Sequence, residues 1–233
     1  MAAGNIIFTD TAKDAYASTH RAIKVENIAY KYPKRAQYVL SGFSARFERG
    51  EITAVTGKNG CGKTTLTKLL VGILRPSAGR VVIDDLETIS MDLFEIGQIV
   101  GYVFQNPNRQ LFCDTVYNEV AYGLRSQCLD EDLITQNTER CLELFGLSRY
   151  KDTYPGKLSL GEKQRLALAA VIALGTDYLV LDEPTSGLDA LSQRELGELL
   201  RKLRSELNCG IIFASHEHGF ISRCSDRELV MPE

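Results

Sequence analysis

The sequence predicts an α/β fold with a mainly parallel sheet, an antiparallel β region before it and a helical insertion within it. Three observations carry that expectation. The apolar runs 52–56, 178–181 and 210–215 each read as a buried strand. Stretches with helical spacing separate them, and strands alternating with helices build a parallel sheet covered on both faces. Residues 23–48 instead show short apolar stretches joined by tight links, which suits antiparallel pairing.

Residues 1–20 show no sustained period and are expected to form an extension, without the basic region and apolar core of a secretory signal. One domain is expected over 21–233. Ile23, Val25 and Ile28 suggest a strand that breaks near Tyr32-Pro33. Ser41-Gly42 reads as a turn. Beyond it Phe43, Ala45 and Phe47 alternate with Ser44, Arg46 and Glu48, the period of a half-buried strand. Arg49-Gly50 turns the chain into 52–56, and 66–71 reads as a helix. Arg75-Pro76-Ser77-Ala78-Gly79 breaks the pattern. Short strands are expected at 80–84 and at 99–105, the second ending on Gln105. The helical insertion spans about 106–174. Within it Leu133, Ile134, Cys141, Leu142, Phe145 and Leu147 fall near helical spacing and read as a core face. A long helix is expected over 160–174 and an amphipathic one over 190–207.

Composition narrows the function classes. Of 233 residues, 44% are hydrophobic and 24% charged, enough for a sizeable core. Lys and Arg number 27 against 30 Asp and Glu, a formal net charge of −3, which leaves no electrostatic footprint for nucleic acid. The longest strongly apolar stretch, 166–174, falls far short of the roughly 20 residues that span a bilayer. The six cysteines, at 61, 113, 128, 141, 209 and 224, include no Cys-x-x-Cys pair, so reduced thiols are expected rather than disulfides or a zinc site.

The chemistry starts at Gly57-Lys58-Asn59-Gly60-Cys61-Gly62-Lys63-Thr64, followed by Thr65. It fits the pattern of Gly, four residues, then Gly-Lys-Ser/Thr, set between a strand and a helix. The glycines let successive amides point at one anion, and the helix start adds its positive dipole end. Lys63 can reach the β- and γ-phosphates of a nucleotide and Thr64 can take a place on Mg²⁺. A second half follows at Asp182-Glu183. A carboxylate at the C-terminal end of a buried parallel strand sits where ligands bind. Asp182 suits Mg²⁺, and Glu183 suits the attacking water. A structural Asp capping the turn at Pro184-Thr185 is the alternative.

These two halves belong to a wider set. Leu158 through Arg165 resembles the signature motif of ATP-binding-cassette ATPases, and Ser186-Gly187-Leu188-Asp189 resembles their D-loop. Gln105 matches the Q-loop, His216 the switch histidine, and Tyr32 the aromatic that stacks on adenine. The resemblance covers residues 23–231 in family order. It implies the ABC ATPase fold, with ATP and Mg²⁺ as ligands. It implies catalytic roles for Glu183, His216 and Gln105, with Gln105 also on the metal beside Thr64 and Asp182. Ser159 and Gly161, at the start of the signature helix, face the γ-phosphate held by a second subunit, and Asp189 contacts the opposite phosphate loop. Each residue has a plainer reading. Ser159 with Glu162 makes a capping box, Asp189 fits a helix N-cap, His216 and Gln105 fit polar strand ends, and Tyr30 rivals Tyr32.

Two departures stand out. The usual Gly-Gly-Gln after Ser159 is here Leu160-Gly161-Glu162, which adds bulk and a negative charge. The chain stops at Met231-Pro232-Glu233, where family members commonly run on. Asn106-Pro107 followed by Gln110-Leu111-Phe112 is similar to the energy-coupling-factor type, the vitamin and cobalt or nickel importers. That likeness implies an ATPase subunit on the cytoplasmic face of the membrane, paired with an identical or different cassette subunit and an integral membrane component, with no nucleic acid. Two alternatives stand beside it: a nucleotide-dependent interaction module with weak hydrolysis, and a soluble cassette protein outside transport.

Overall fold

A computed structural model describes residues 22–33, 36–127 and 129–232. The extension expected over 1–20 and Cys128 lie outside them. The first described elements are β1 (Ala22–Tyr30), β2 (Leu40–Glu48), β3 (Ile52–Thr56), α1 (Lys63–Leu70), β4 (Ala78–Ile83), β5 (Leu86–Glu87), α2 (Leu93–Ile99) and β6 (Val100–Val103). Three longer helices follow: α3 (Val116–Arg125), α4 (Glu131–Leu144) and α5 (Leu160–Ile172). The last elements are β7 (Tyr178–Asp182), α6 (Ala190–Leu207), β8 (Gly210–Ala214), α7 (His218–Cys224) and β9 (Arg227–Val230). Asn106–Thr176 forms one compact unit, built on α3 to α5; 22–105 and 177–232 form the other. No described helix is long and apolar enough to cross a membrane.

Among its described residues the larger unit holds two sheets. Five parallel strands run in the order β6-β7-β8-β3-β9. β3, β7 and β8 are buried at every residue, which is why they read as unbroken apolar runs. Four antiparallel strands run β2-β1-β4-β5. One core joins the sheets: Ile23, Val25, Ile28 and Phe47 from the antiparallel strands meet Leu66, Leu69, Val180 and Ile212.

Several boundaries differ from the sequence expectation. Ser41-Gly42 is not a turn; both lie inside β2, where Gly42 at φ +66° faces a register shift between Ile28 and Tyr30. Residue 99 ends a helix rather than starting a strand. Asp92 and Glu95 cap α2 reciprocally, each accepting from the other's backbone amide at 2.8 Å. β6 then stops at Val103, so Gln105 stands just past the strand. α7 and β9 were not expected. β9 is an edge strand with Arg227, Glu228 and Val230 exposed, so it lacks an apolar period.

In the smaller unit Ile134, Cys141, Leu142, Phe145 and Leu147 are buried as their spacing predicts, while Leu133 is half-buried. Burial pushes the Cys141 thiol up to about 12, as expected of an inert core cysteine.

Gly79 tests the join of β1 and β4. At φ +74° it faces Asn27, itself left-handed at φ +48° in the bulge of β1. A Cβ on Gly79 would lie 2.3 Å from the Asn27 carbonyl oxygen and 2.4 Å from that of Glu26. Gly79→Ala is therefore expected to lower stability by about 2–4 kcal/mol. Thermal unfolding checks it; an unchanged midpoint would contradict the bulge geometry.

Candidate functional site

The C-terminal ends of parallel strands gather on one edge of their sheet, the place where open α/β sheets bind ligands. Four strands contribute here. Gly57 follows β3, Gln105 follows β6, Asp182 ends β7 and His216 follows β8.

The loop from Gly57 to Gly62 opens α1. Lys58, Asn59 and Gly60 are exposed and Cys61 is half-buried. Gly62 is the N-cap of α1 at φ +104°, and no side chain caps the helix. A Cβ there would lie 2.9 Å from Leu40 Cδ2, so the position takes only glycine without rearrangement. The first amides of α1 are thereby left for an anion. Lys63 is buried and folds over the loop, with its ammonium donating to the carbonyls of Gly57 at 2.8 Å and Lys58 at 3.2 Å.

Thr64 Oγ1 donates to Asp182 Oδ1 at 2.9 Å. Asp182 is only 5% exposed, and burial holds its carboxyl above the ordinary range despite the Thr64 hydrogen bond and the nearby charge of Lys68. A buried carboxylate beside a hydroxyl makes an oxygen donor pair suited to Mg²⁺. Among the described residues no group of three or more His, Cys, Asp and Glu could hold a metal. The pair thus fits an ion that takes its other ligands from phosphate and water. The sequence reading missed Tyr102 on β6. Burial first, with the Asp182 charge adding, pushes its phenol up to about 12.

Glu183 sits in the left-handed region at φ +46°, rare for a residue with a side chain and found at strained functional positions. Its amide donates to Ala214 O at 3.0 Å, tying it to the end of β8. Its Oε2 lies 3.0 Å from His216 Nδ1; the carboxylate side chain is 14% exposed and the imidazole 58%. Gln105 Nε2 donates to Ser186 Oγ at 3.4 Å, a partner the sequence did not suggest. Asp189 caps α6, accepting from Ser192 N at 2.8 Å, and that bond holds its carboxyl below the usual range. Tyr32 is half-buried, its hydroxyl 3.2 Å from Thr65 Oγ1 and its ring edge-to-face with Tyr30 at 5.0 Å. Tyr30 is buried in the core, which leaves Tyr32 as the more accessible of the two.

Ser159 and Gly161 belong to the smaller unit. Ser159 caps α5 and Glu162 completes the capping box. In the same unit Phe112 and Tyr122 are exposed and meet edge-to-face at 4.9 Å, while Leu111 is half-buried. The Phe112 loop is fixed from below: the buried Glu119 accepts from Phe112 N at 2.9 Å and Cys113 N at 2.7 Å.

Residues 40–186 match the profile of the ABC transporter family. An ABC transporter ATP-binding protein of Pyrococcus furiosus is 39% identical over 209 residues, covering 90% of this chain and 79% of that one. An energy-coupling factor transporter ATP-binding protein of Streptococcus sanguinis is 37% identical over 212 residues, 91% of this chain and 76% of its own. The solved structure of CbiO1 from Clostridium perfringens, part of the ABC transporter complex CbiONQ, superposes with a TM-score of 0.82 at 36% identity. It covers 90% of this chain and 84% of that one.

The raised carboxyl of Asp182 has a consequence for stability. A folded acid that titrates above its unfolded value binds its proton longer than the unfolded chain does, so stability falls as pH rises through that interval. At neutral pH the charged form is therefore a burden on the nucleotide-free protein. Without metal or nucleotide, Asp182→Asn is expected to raise the melting midpoint at pH 7 by about 2 °C or more. The gain should shrink below the ordinary carboxylate range. A lowered midpoint at pH 7 would contradict the buried charge.

Proposed function

The chain belongs to the ABC transporter family, and on that premise we propose that it is the ATP-hydrolysing subunit of an energy-coupling-factor type importer of a vitamin or transition-metal ion. It works at the cytoplasmic face of the membrane with a second cassette subunit and an integral membrane component, and no nucleic acid. The observation that carries this reading is the meeting of two pairs on one sheet edge. Thr64 lies on Asp182, and Glu183 lies on His216, beside an uncapped helix start.

The residues divide the work. Amides from Gly57 to Thr65 and the Lys63 ammonium hold the triphosphate. Tyr32 offers a ring to the adenine. Thr64 and Asp182, with Gln105, hold Mg²⁺, which when bound neutralises charge on the phosphates. Glu183 takes a proton from the attacking water as its oxygen bonds to the γ-phosphorus; the bond to the ADP oxygen breaks, giving phosphate and ADP. His216 meets Glu183 through Nδ1, 3.0 Å from Oε2, which leaves its other ring nitrogen for the γ-phosphate. Ser159, Gly161 and Asp189 act across the interface with the second subunit. Phe112 and Tyr122, on a loop fixed by Glu119, offer an apolar contact to the membrane component.

Glu183→Gln is expected to keep ATP binding and lower turnover by about a hundredfold or more. Steady-state phosphate release and nucleotide binding measured on the same preparation check it. Equal turnover in both proteins would remove Glu183 from its role.

A further inference from the structure

Two tyrosines mark the end of β1: Tyr30 is its last residue and Tyr32 lies just beyond. Their rings meet edge-to-face, with centroids 5.0 Å apart and planes at 88°. The Tyr32 hydroxyl lies 3.2 Å from Oγ1 of Thr65, a residue only 4% exposed on the first turn of α1. The backbone on either side of that bond is fixed without it. Val39 N donates to Tyr30 O at 2.8 Å. Val39 and Leu40 then press on Gly62, where a Cβ would lie 3.1 Å from Val39 Cγ1 and 2.9 Å from Leu40 Cδ2.

The end of β1 and the phosphate loop are thus packed together already, and the hydroxyl bond settles where the Tyr32 side chain points. A phenol oxygen lies on the axis about which its ring spins. Holding that oxygen fixes the direction of the axis, and the edge-to-face contact with Tyr30 fixes the plane of the ring. Each contact governs one torsion. Stacking on a base needs a flat aromatic face, which Phe supplies as well as Tyr. The hydroxyl therefore adds something that stacking does not require. A loose aromatic side chain loses rotamer freedom when a base lands on it; one held beforehand loses less, and the difference appears as affinity.

We propose that Thr65 is a positioning residue for the base: its hydroxyl holds Tyr32, so the helix that receives the phosphates also sets the platform for the adenine. The inference rests on the adenine role proposed above for Tyr32. The rival use of the same hydroxyl is a direct bond to phosphate, which would release Tyr32. The two uses part on a ligand that has phosphates and no base.

Calorimetric titration with ATP and with inorganic tripolyphosphate, each with Mg²⁺, tests this. Thr65→Val, which keeps the branched shape, is expected to weaken ATP about three- to tenfold and leave tripolyphosphate within about twofold. Tyr32→Phe should do the same, and the double variant should lose no more than either single one, since both remove one bond. Thr65→Ser, which restores a hydroxyl, should recover the affinity for ATP. If Thr65→Val weakens tripolyphosphate as much as ATP, the hydroxyl serves the phosphate and the inference is overturned. Wild-type affinity for ATP in Tyr32→Phe overturns it too, and that variant decides alone should Thr65→Val not fold. A wild-type chain that binds tripolyphosphate as tightly as ATP removes Tyr32 from its adenine role, and the positioning role with it. Binding of neither ligand overturns the ATP-binding reading itself.

Discussion

The site depends on one hydrogen bond, from Thr64 on α1 to the buried Asp182 at the end of β7. β8 lies between β3 and β7 in the sheet, so α1, which follows β3, must reach across it to make that contact. Burial opposes the charge on Asp182. Glu183 next to it holds a backbone conformation that side chains disfavour. Two successive residues thus sit in unfavourable states at one strand end, and the surrounding sheet, buried at every residue of β7 and β8, keeps them there. A cation held by Asp182 would relieve the first of these costs.

Much of this was legible in the sequence because it rests on local rules. β3 and α6 have the bounds their apolar run and amphipathic period predict, and β7 extends its apolar run by one residue, Asp182. The loop before α1 was readable because three glycines and a lysine at fixed spacing have few other uses. What was missed shares a different cause. α2 is seven residues long with Leu93 and Phe94 exposed, and β9 is a polar edge strand, so neither shows a period. Ser41-Gly42 looked like a turn because a left-handed glycine serves bulges as well as reversals. Tyr102 beside Asp182, and Ser186 beside Gln105, are meetings between distant stretches that no spacing encodes.

The start of α5 shows how one residue can satisfy two readings. Ser159 and Glu162 form the capping box that helix chemistry predicts. The same atoms occupy the hydroxyl that the proposed pairing needs free. Tyr150 and Arg149, which hold Glu162 in place, come from the short turn ahead of the helix and carry no motif of their own. Asp189 is similar: it caps α6 and stands where the proposed interface lies.

Calorimetric titration with ATP and Mg²⁺ tests the account at its centre. It predicts one nucleotide bound per chain, with affinity lowered roughly a hundredfold when Lys63 is replaced by alanine, since the buried ammonium over the loop is then lost. An unaltered affinity in Lys63→Ala, or no binding to the wild-type chain, would contradict it.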